Sequence, residues 1–444
     1  MRLKLFDSKR PFDVRKWPGY YGWTILVVGT IGMIAAVPGS PPGMSVFVDE
    51  MISSLELERG NFAIAYTLGT LLAGLCAPLA GRLVDQIGAR PMGCLSFFGL
   101  GLSLIATGLL DRIYVGLSSY FGGAPLALAL VFFAFFGMRL MGLSFAMTTC
   151  RSMVFRWFEG RRGIAAAING TMISLSFSSA PLLLNGFVIS IGWQQTWIIV
   201  GSVFAFGMTT LAYLFFRDSP EDCGVPVDPV KAESRAEIRT PALRDFSSSE
   251  AIRTRTFWIF VAGLALNGLI GTGISFHIVG LAASHELDRQ TAVDVFLPAV
   301  IFQVATTFLL GAYTERIKLK YMLAMMVFAQ GLTLLGALSF SDLGWRWCYI
   351  VGSGISWGAF SVLINVPWGR FFGRKHLGAI NGWVTGATVV TSALGPLVFG
   401  VSYEVTKGYT TAILLCIVFC PIVFALSWIA NNPQEAISPS KERT

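Results

Sequence analysis

Long, nearly uncharged apolar runs recur from Trp23 to Ala430, separated by polar stretches that hold most of the charge. Each run is close to the ~20 residues a helix needs to cross ~30 Å of hydrocarbon. In the first half the runs fall at 22–48, 61–81, 91–110, 124–150, 163–190 and 196–216. In the second half they fall at 256–281, 292–311, 321–340, 346–369, 377–402 and 410–430. The pattern predicts an all-α membrane protein with twelve transmembrane helices in two six-helix bundles, because a segment in lipid must satisfy its own backbone hydrogen bonds. The first run is too long for the apolar core of a cleaved signal peptide, so it is read as an uncleaved span. The expected organisation is an N-terminal segment 1–21, a bundle 22–216, a linker 217–255, a bundle 256–430 and a tail 431–444.

Composition agrees with lipid as the solvent: 54% of residues are hydrophobic and 13% charged, against roughly 25% charged in soluble domains. The net charge of +8 would suit an anionic partner such as nucleic acid, but its distribution follows topology. With both termini inside, 27 of the 33 Lys and Arg residues lie on the cytoplasmic side, as positive loops do. This asymmetry predicts a multi-pass protein of the cell (inner) membrane with cytoplasmic termini, and it removes the reason to invoke nucleic acid. The linker mixes acids and bases with Pro220, Pro226, Pro229 and Pro241, a composition expected to be flexible or loosely helical. Six of the seven cysteines lie in or beside apolar runs, where they act as small hydrophobes. Neither a disulfide framework nor a metal spacing is present.

The halves echo each other. Glycine, acid and final base of Gly81–Arg90 (GRLVDQIGAR) return 230 residues later in Gly311–Lys320 (GAYTERIKLK). RWFEGRRGIAAAING, from Arg156, is matched by RFFGRKHLGAING, from Arg370, and Ala180-Pro181 by Gly395-Pro396. Such repeats indicate a duplicated unit, a common architecture of secondary transporters. On these residues the chain resembles the major facilitator superfamily over nearly its whole length. Gly81–Arg90 is similar to that superfamily's signature between spans 2 and 3, and Arg139 with Gly142 to its span 4 arginine motif. Tyr21-Gly22-Trp23, the stretch PGSPPGMSVFVD from Pro38 and WFEGRRG from Trp157 resemble the oxalate/formate antiporter and monocarboxylate porter branch. The resemblance implies the two-bundle major facilitator fold, and it implies that Gly81, Arg82, Asp85, Gly88 and Arg90, with Gly311, Glu315, Arg316 and Lys320, form cytoplasmic gating loops. One departure stands out. The branch's oxalate exchanger uses basic residues in spans 8 and 11, and neither span carries one here.

Matching helix interruptions near the midplane point to a transport site. Span 1 contains Pro38, Pro41, Pro42 and Gly43, and the same offset sets Gly271 of span 7 against this region. Proline removes a backbone donor, so span 1 is expected to bend and leave polar backbone near the cavity, or simply to kink for packing. Arg139 is read as the only charged side chain well inside a span, with no deep Asp or Glu to neutralise it. Arginine at a span centre costs roughly 2.5–3.5 kcal/mol. Its planar fork suits a substrate carboxylate; alternatively it bonds backbone carbonyls or couples conformations. His277 in span 7 is either proton-responsive, as histidine is the usual switch near neutral pH, or an interhelical donor. Thr388 belongs to a span 11 stripe with Asn381, Thr385 and Ser392 on one helical face, lining the cavity or packing helices. Tyr66, Gln303, Trp357 and Asn365 are further polar candidates.

An enzyme is not expected. His285-Glu286 lacks the second histidine of a zinc motif, no GK[ST] loop supports ATP binding, and three histidines supply no cavity-facing triad. No metal or cofactor is called for. The expectation is a monomeric secondary active transporter of a small organic anion, a monocarboxylate first, working by alternating access with a proton or counter-anion as coupling partner. The competing expectation is an exporter of amphipathic or drug-like compounds, which would suit the apolar, aromatic-rich spans.

Overall fold

The computed structural model describes residues 11–44, 46–227 and 243–436. Residues 1–10 of the N-terminal segment, 228–242 of the linker with Pro229 and Pro241, and 437–444 of the tail lie outside the described residues. Among the described residues all regular structure is helical, with no strand. The long helices are α1 (Gly22–Ile34), α2 (Arg59–Ile87), α3 (Ala89–Gly108), α4 (Gly123–Trp157), α5 (Arg162–Ile191) and α6 (Trp193–Phe215), then α7 (Arg255–Ser284), α8 (Phe296–Tyr313), α9 (Leu319–Leu338), α10 (Leu343–Phe372), α11 (Leu377–Thr406) and α12 (Thr410–Ser427). Among the described residues ten helices are long and apolar enough to cross a membrane. Their outward faces are apolar, as lipid requires: Leu68, Leu72, Leu75 and Leu79 form an exposed stripe on α2.

The chain packs as two units. The first gathers residues 1–159, 172–229 and 378–386, and the second 160–171, 230–377 and 387–444. The opening turns of α5 thus belong to the second unit and those of α11 to the first, the two segments that echo each other in sequence. In the first unit the core is aromatic at one end, with the rings of Phe47 and Trp197 4.1 Å apart and Phe62 and Tyr66 edge-on to Phe135.

Proline decides where helices stop. Pro38 cannot donate to the Ile34 carbonyl, and the Val37 amide reaches it at 2.9 Å instead. This tighter bond ends α1 at Ile34 rather than bending one span through 48. The chain turns over 35–40 and resumes as one helical turn, Pro41–Met44. Gly43 fits there because a Cβ would lie 2.6 Å from the Val37 and Pro38 carbonyl oxygens. α7, by contrast, runs unbroken through Gly271, so the interruption expected at that residue is not found. A Cβ at Gly271 would meet the Trp357 indole at 2.4 Å; this glycine seats a ring and breaks nothing. An interruption not anticipated lies in α10, where the helix pauses at Ile364 and Asn365 ahead of Pro367.

Candidate functional site

In the first unit the candidate site is built on α4. From Arg139 to Met147, nine residues, its backbone widens into π-helical bonding, a distortion that recurs at functional positions. Arg139 opens this segment and is 2% exposed. Its Nη2 donates to Tyr66 Oη, and the guanidinium sits over the same ring, 5.1 Å from the centroid. Tyr66 is braced by Phe135, one turn before Arg139. Nε of Arg139 is buried without a partner, and no carboxylate pairs with the side chain among the described residues. The arrangement is a positively charged fork, held by an aromatic hydroxyl, with donors to spare.

The connection that follows α2 is tightly determined. Gly88 joins α2 to α3 at φ +94°, and a Cβ would collide with Asp218. Asp218 accepts the amides of Ala89 and Arg90 at 2.5 and 3.3 Å, capping the positive end of α3. Asp85 accepts the amides of Gly378 and Ala379 at the start of α11, at 2.9 and 2.7 Å, and forms an ion pair with Arg156. Here α2 and α11 touch backbone to backbone, since a Cβ on Gly81 would lie 2.1 Å from the Gly378 carbonyl oxygen. The second unit repeats the contact: a Cβ on Gly163 of α5 would meet the Gly311 carbonyl oxygen at 2.1 Å. Arg370, the repeat of Arg156, donates to the Thr314 carbonyl at 2.5 Å, next to Glu315.

Arg90 and Lys320 bind backbone carbonyls within their own units. Arg90 is buried, donates from Nε to the Tyr213 carbonyl at 2.6 Å and covers that residue's ring. Lys320 donates to the Trp428 carbonyl and Asn431 Oδ1, at 3.0 and 2.7 Å. Each base ties the start of its unit's third helix to the carbonyl end of the sixth, where positive charge is favourable. Arg82 and Arg316 are exposed, the latter 5.8 Å from the Tyr313 ring centroid.

The second unit holds a small cavity of about 20 Å³ among α7, α9 and α10, room for about one water. Trp357 and Gly271 line it, with Asn267, Gln330 and Ser356. Asn267 Oδ1 accepts from Ser356 Oγ and from Gln330 Nε2, the latter at 3.3 Å. Asn267 Nδ2 and Gln330 Oε1 are buried without protein partners. His277 lies elsewhere, its Nε2 3.0 Å from the Pro396 carbonyl, which makes that nitrogen the donor in an interhelical bond. Asn365 turns inward on its own helix, Nδ2 to the Ser361 carbonyl at 2.8 Å. Gln303 lends its backbone to the close approach of Gly354 and Gly358, and Thr388 lies with its carbonyl against Gly268.

A sequence profile described as the Major Facilitator Superfamily matches residues 24–368. The chain belongs to that superfamily. This major facilitator transporter, a multi-pass membrane protein, is 22% identical over 410 residues to mouse monocarboxylate transporter 6, covering 88% of this chain and 83% of that protein. It is 23% identical over 372 residues to the class E tetracycline resistance protein of Escherichia coli, covering 78% and 79%. Among solved structures it is similar to a proton:xylose symporter, with a TM-score of 0.62, 14% identity and coverage of 94% and 99%. It is also similar to a human organic anion transporter, with a TM-score of 0.57, 15% identity and coverage of 93% and 100%.

For a major facilitator transporter the sequence left two features unread. Arg151, counted with the loop after span 4, lies inside α4 and is 7% exposed. Arg139 is therefore not the only buried arginine of α4. The one trace of this in the sequence is the short apolar stretch Met153–Phe155 beyond Arg151. The amides Asn267 and Gln330 were also passed over, although each is an isolated polar residue in an apolar run.

Proposed function

We propose that this protein is a secondary active transporter of a small organic anion, a monocarboxylate first, with twelve spans and both termini cytoplasmic. The observation that carries the proposal is Arg139: a guanidinium buried in α4, engaged by Tyr66 alone, with Nε unpartnered. A buried charge without a counter-ion is costly, and a substrate carboxylate supplies that counter-ion along with two oxygens for the fork. The likeness to the mouse monocarboxylate transporter favours the same reading. In this reading the units rock in alternating access, driven by the gradient of the substrate, a proton or a counter-anion. Asp85 and the Gly81–Gly378 contact hold the start of α11 in one state and release it in the other. His277, with its nitrogen bonded to a carbonyl, serves helix packing in this account.

A second reading, export of amphipathic or drug-like compounds, is favoured by the likeness to the tetracycline resistance protein. Uptake and counterflow in proteoliposomes separate the two. Labelled formate, acetate, lactate, pyruvate and oxalate are tested beside one lipophilic cation, using wild type, Arg139→Gln and Arg139→Lys. Transport of a monocarboxylate that is abolished in Arg139→Gln supports the first reading. Movement of the lipophilic compound alone supports the second and makes Arg139 structural.

A further inference from the structure

α4 carries a second arginine that the account above does not use. Arg151 is 7% exposed, and no carboxylate pairs with it among the described residues. Further along the same helix Arg156 has Asp85, so the local fold provides an acid for one arginine and not for the other. Arg151 makes one hydrogen bond among the described residues, from Nη1 to Thr385 Oγ1 at 3.2 Å. Its Nε is buried and unpartnered. The edge formed by Nε and Nη2 therefore has no hydrogen-bond partner among the described residues, and this is the edge that receives a carboxylate side-on through two parallel donors.

The surroundings are polar and uncharged. Thr148 Oγ1 lies 3.5 Å from Thr385 Oγ1, and Asn381 Nδ2 donates to Ser152 Oγ at 3.2 Å. Asn381 Oδ1 and Thr149 Oγ1 are buried without partners. Arginine does not shed its proton in proteins, so a guanidinium kept from water and from acids needs an anion to balance it. We propose that Arg151 binds a small carboxylate on its Nε–Nη2 edge, forming an anion site apart from Arg139. About 18 Å of helical rise separates the two arginines, too far for one small anion to touch both. The inference stands on Arg151's own geometry and does not depend on which solute is carried.

The test uses the full chain in lipid nanodiscs, titrated with sodium formate at constant ionic strength, with sodium chloride as the exchanged salt. Thermal unfolding is followed for Arg139→Gln alone and with Arg151→Lys or Arg151→Gln added, so that Arg139 contributes no formate binding. Formate is expected to stabilise Arg139→Gln saturably, with apparent affinity weakened at least tenfold when Arg151→Lys is added and the effect absent when Arg151→Gln is added. Equal stabilisation of Arg139→Gln with and without Arg151→Gln overturns the proposal, as does an equal response to chloride, which presents no pair of oxygens. Where the combination with Arg151→Gln does not fold, ¹³C-formate to ¹⁵N-guanidinium contacts by solid-state NMR decide: present in Arg139→Gln and lost when Arg151→Lys is added supports the site, absent in Arg139→Gln refutes it. Carboxylate uptake that fails while formate stabilisation persists would remove the transport proposal and leave this one.

Discussion

Asp85 of α2 accepts the amides of the second and third residues of α11, Gly378 and Ala379, while ion-paired to Arg156. One carboxylate thereby caps a helix and neutralises a neighbouring guanidinium, both favourable to its charged form. Both partners are about one-tenth exposed, so truncating one strands the other. Asp85→Ala is expected to lower unfolding stability by about 3 kcal/mol. In a double-mutant cycle with Arg156→Ala the two losses should fall short of additivity; full additivity in thermal unfolding would mean that the pair is not coupled.

The Gly81–Gly378 and Gly163–Gly311 crossings leave no room for a methyl group. Gly81→Ala and Gly163→Ala should each destabilise by about 1–3 kcal/mol through overpacking. Gly331→Ala is the control, since a Cβ there meets nothing within 4 Å in the middle of α9. It should be neutral or stabilising by up to about 1 kcal/mol, as read by thermal unfolding in detergent.

Thr272 compensates for a proline on the neighbouring helix. Pro396 has no amide to give the Ser392 carbonyl, and Thr272 Oγ1 shares its one proton between that oxygen, at 2.8 Å, and the Gly268 carbonyl of its own helix, at 2.6 Å. Thr272→Val should leave a buried acceptor unsatisfied at a cost of about 1–3 kcal/mol, while Thr272→Ser should be silent. Adding Pro396→Ala to Thr272→Val restores the helical donor and should recover most of the loss, which denaturation of the double variant measures.

Glu250 closes a capping box at the end of the linker, accepting from the backbone and hydroxyl of Ser247. The Ser247 amide, then its hydroxyl, hold this carboxyl below its ordinary range. A depressed folded pKa stabilises above the unfolded value, and that contribution is lost as pH falls through the folded value. Amide exchange at Glu250 and Ala251, corrected for its intrinsic pH dependence, should therefore speed up below about pH 4. Glu250→Gln should show the faster exchange already at neutral pH.

Much of the helical architecture was legible in the chain because membrane thickness imposes a length on every apolar run. The echo of Gly81 in Gly311 likewise marked two crossings that only glycine permits, since a backbone contact leaves its trace as a missing side chain. Side-chain partners were not legible in this way. Whether Arg90 pairs with an acid or ties down the end of α6, and whether Gly271 breaks a helix or seats Trp357, depends on residues more than eighty positions away. Arg151 makes the same point: by sequence it belongs to a basic loop, and only the packing of α4 against the start of α11 removes it from water. Period and composition determine which residues form the long apolar helices. The rotation of each helix about its axis, and hence which polar groups meet, is set by close packing among faces distant in sequence, and this the tertiary structure alone decided.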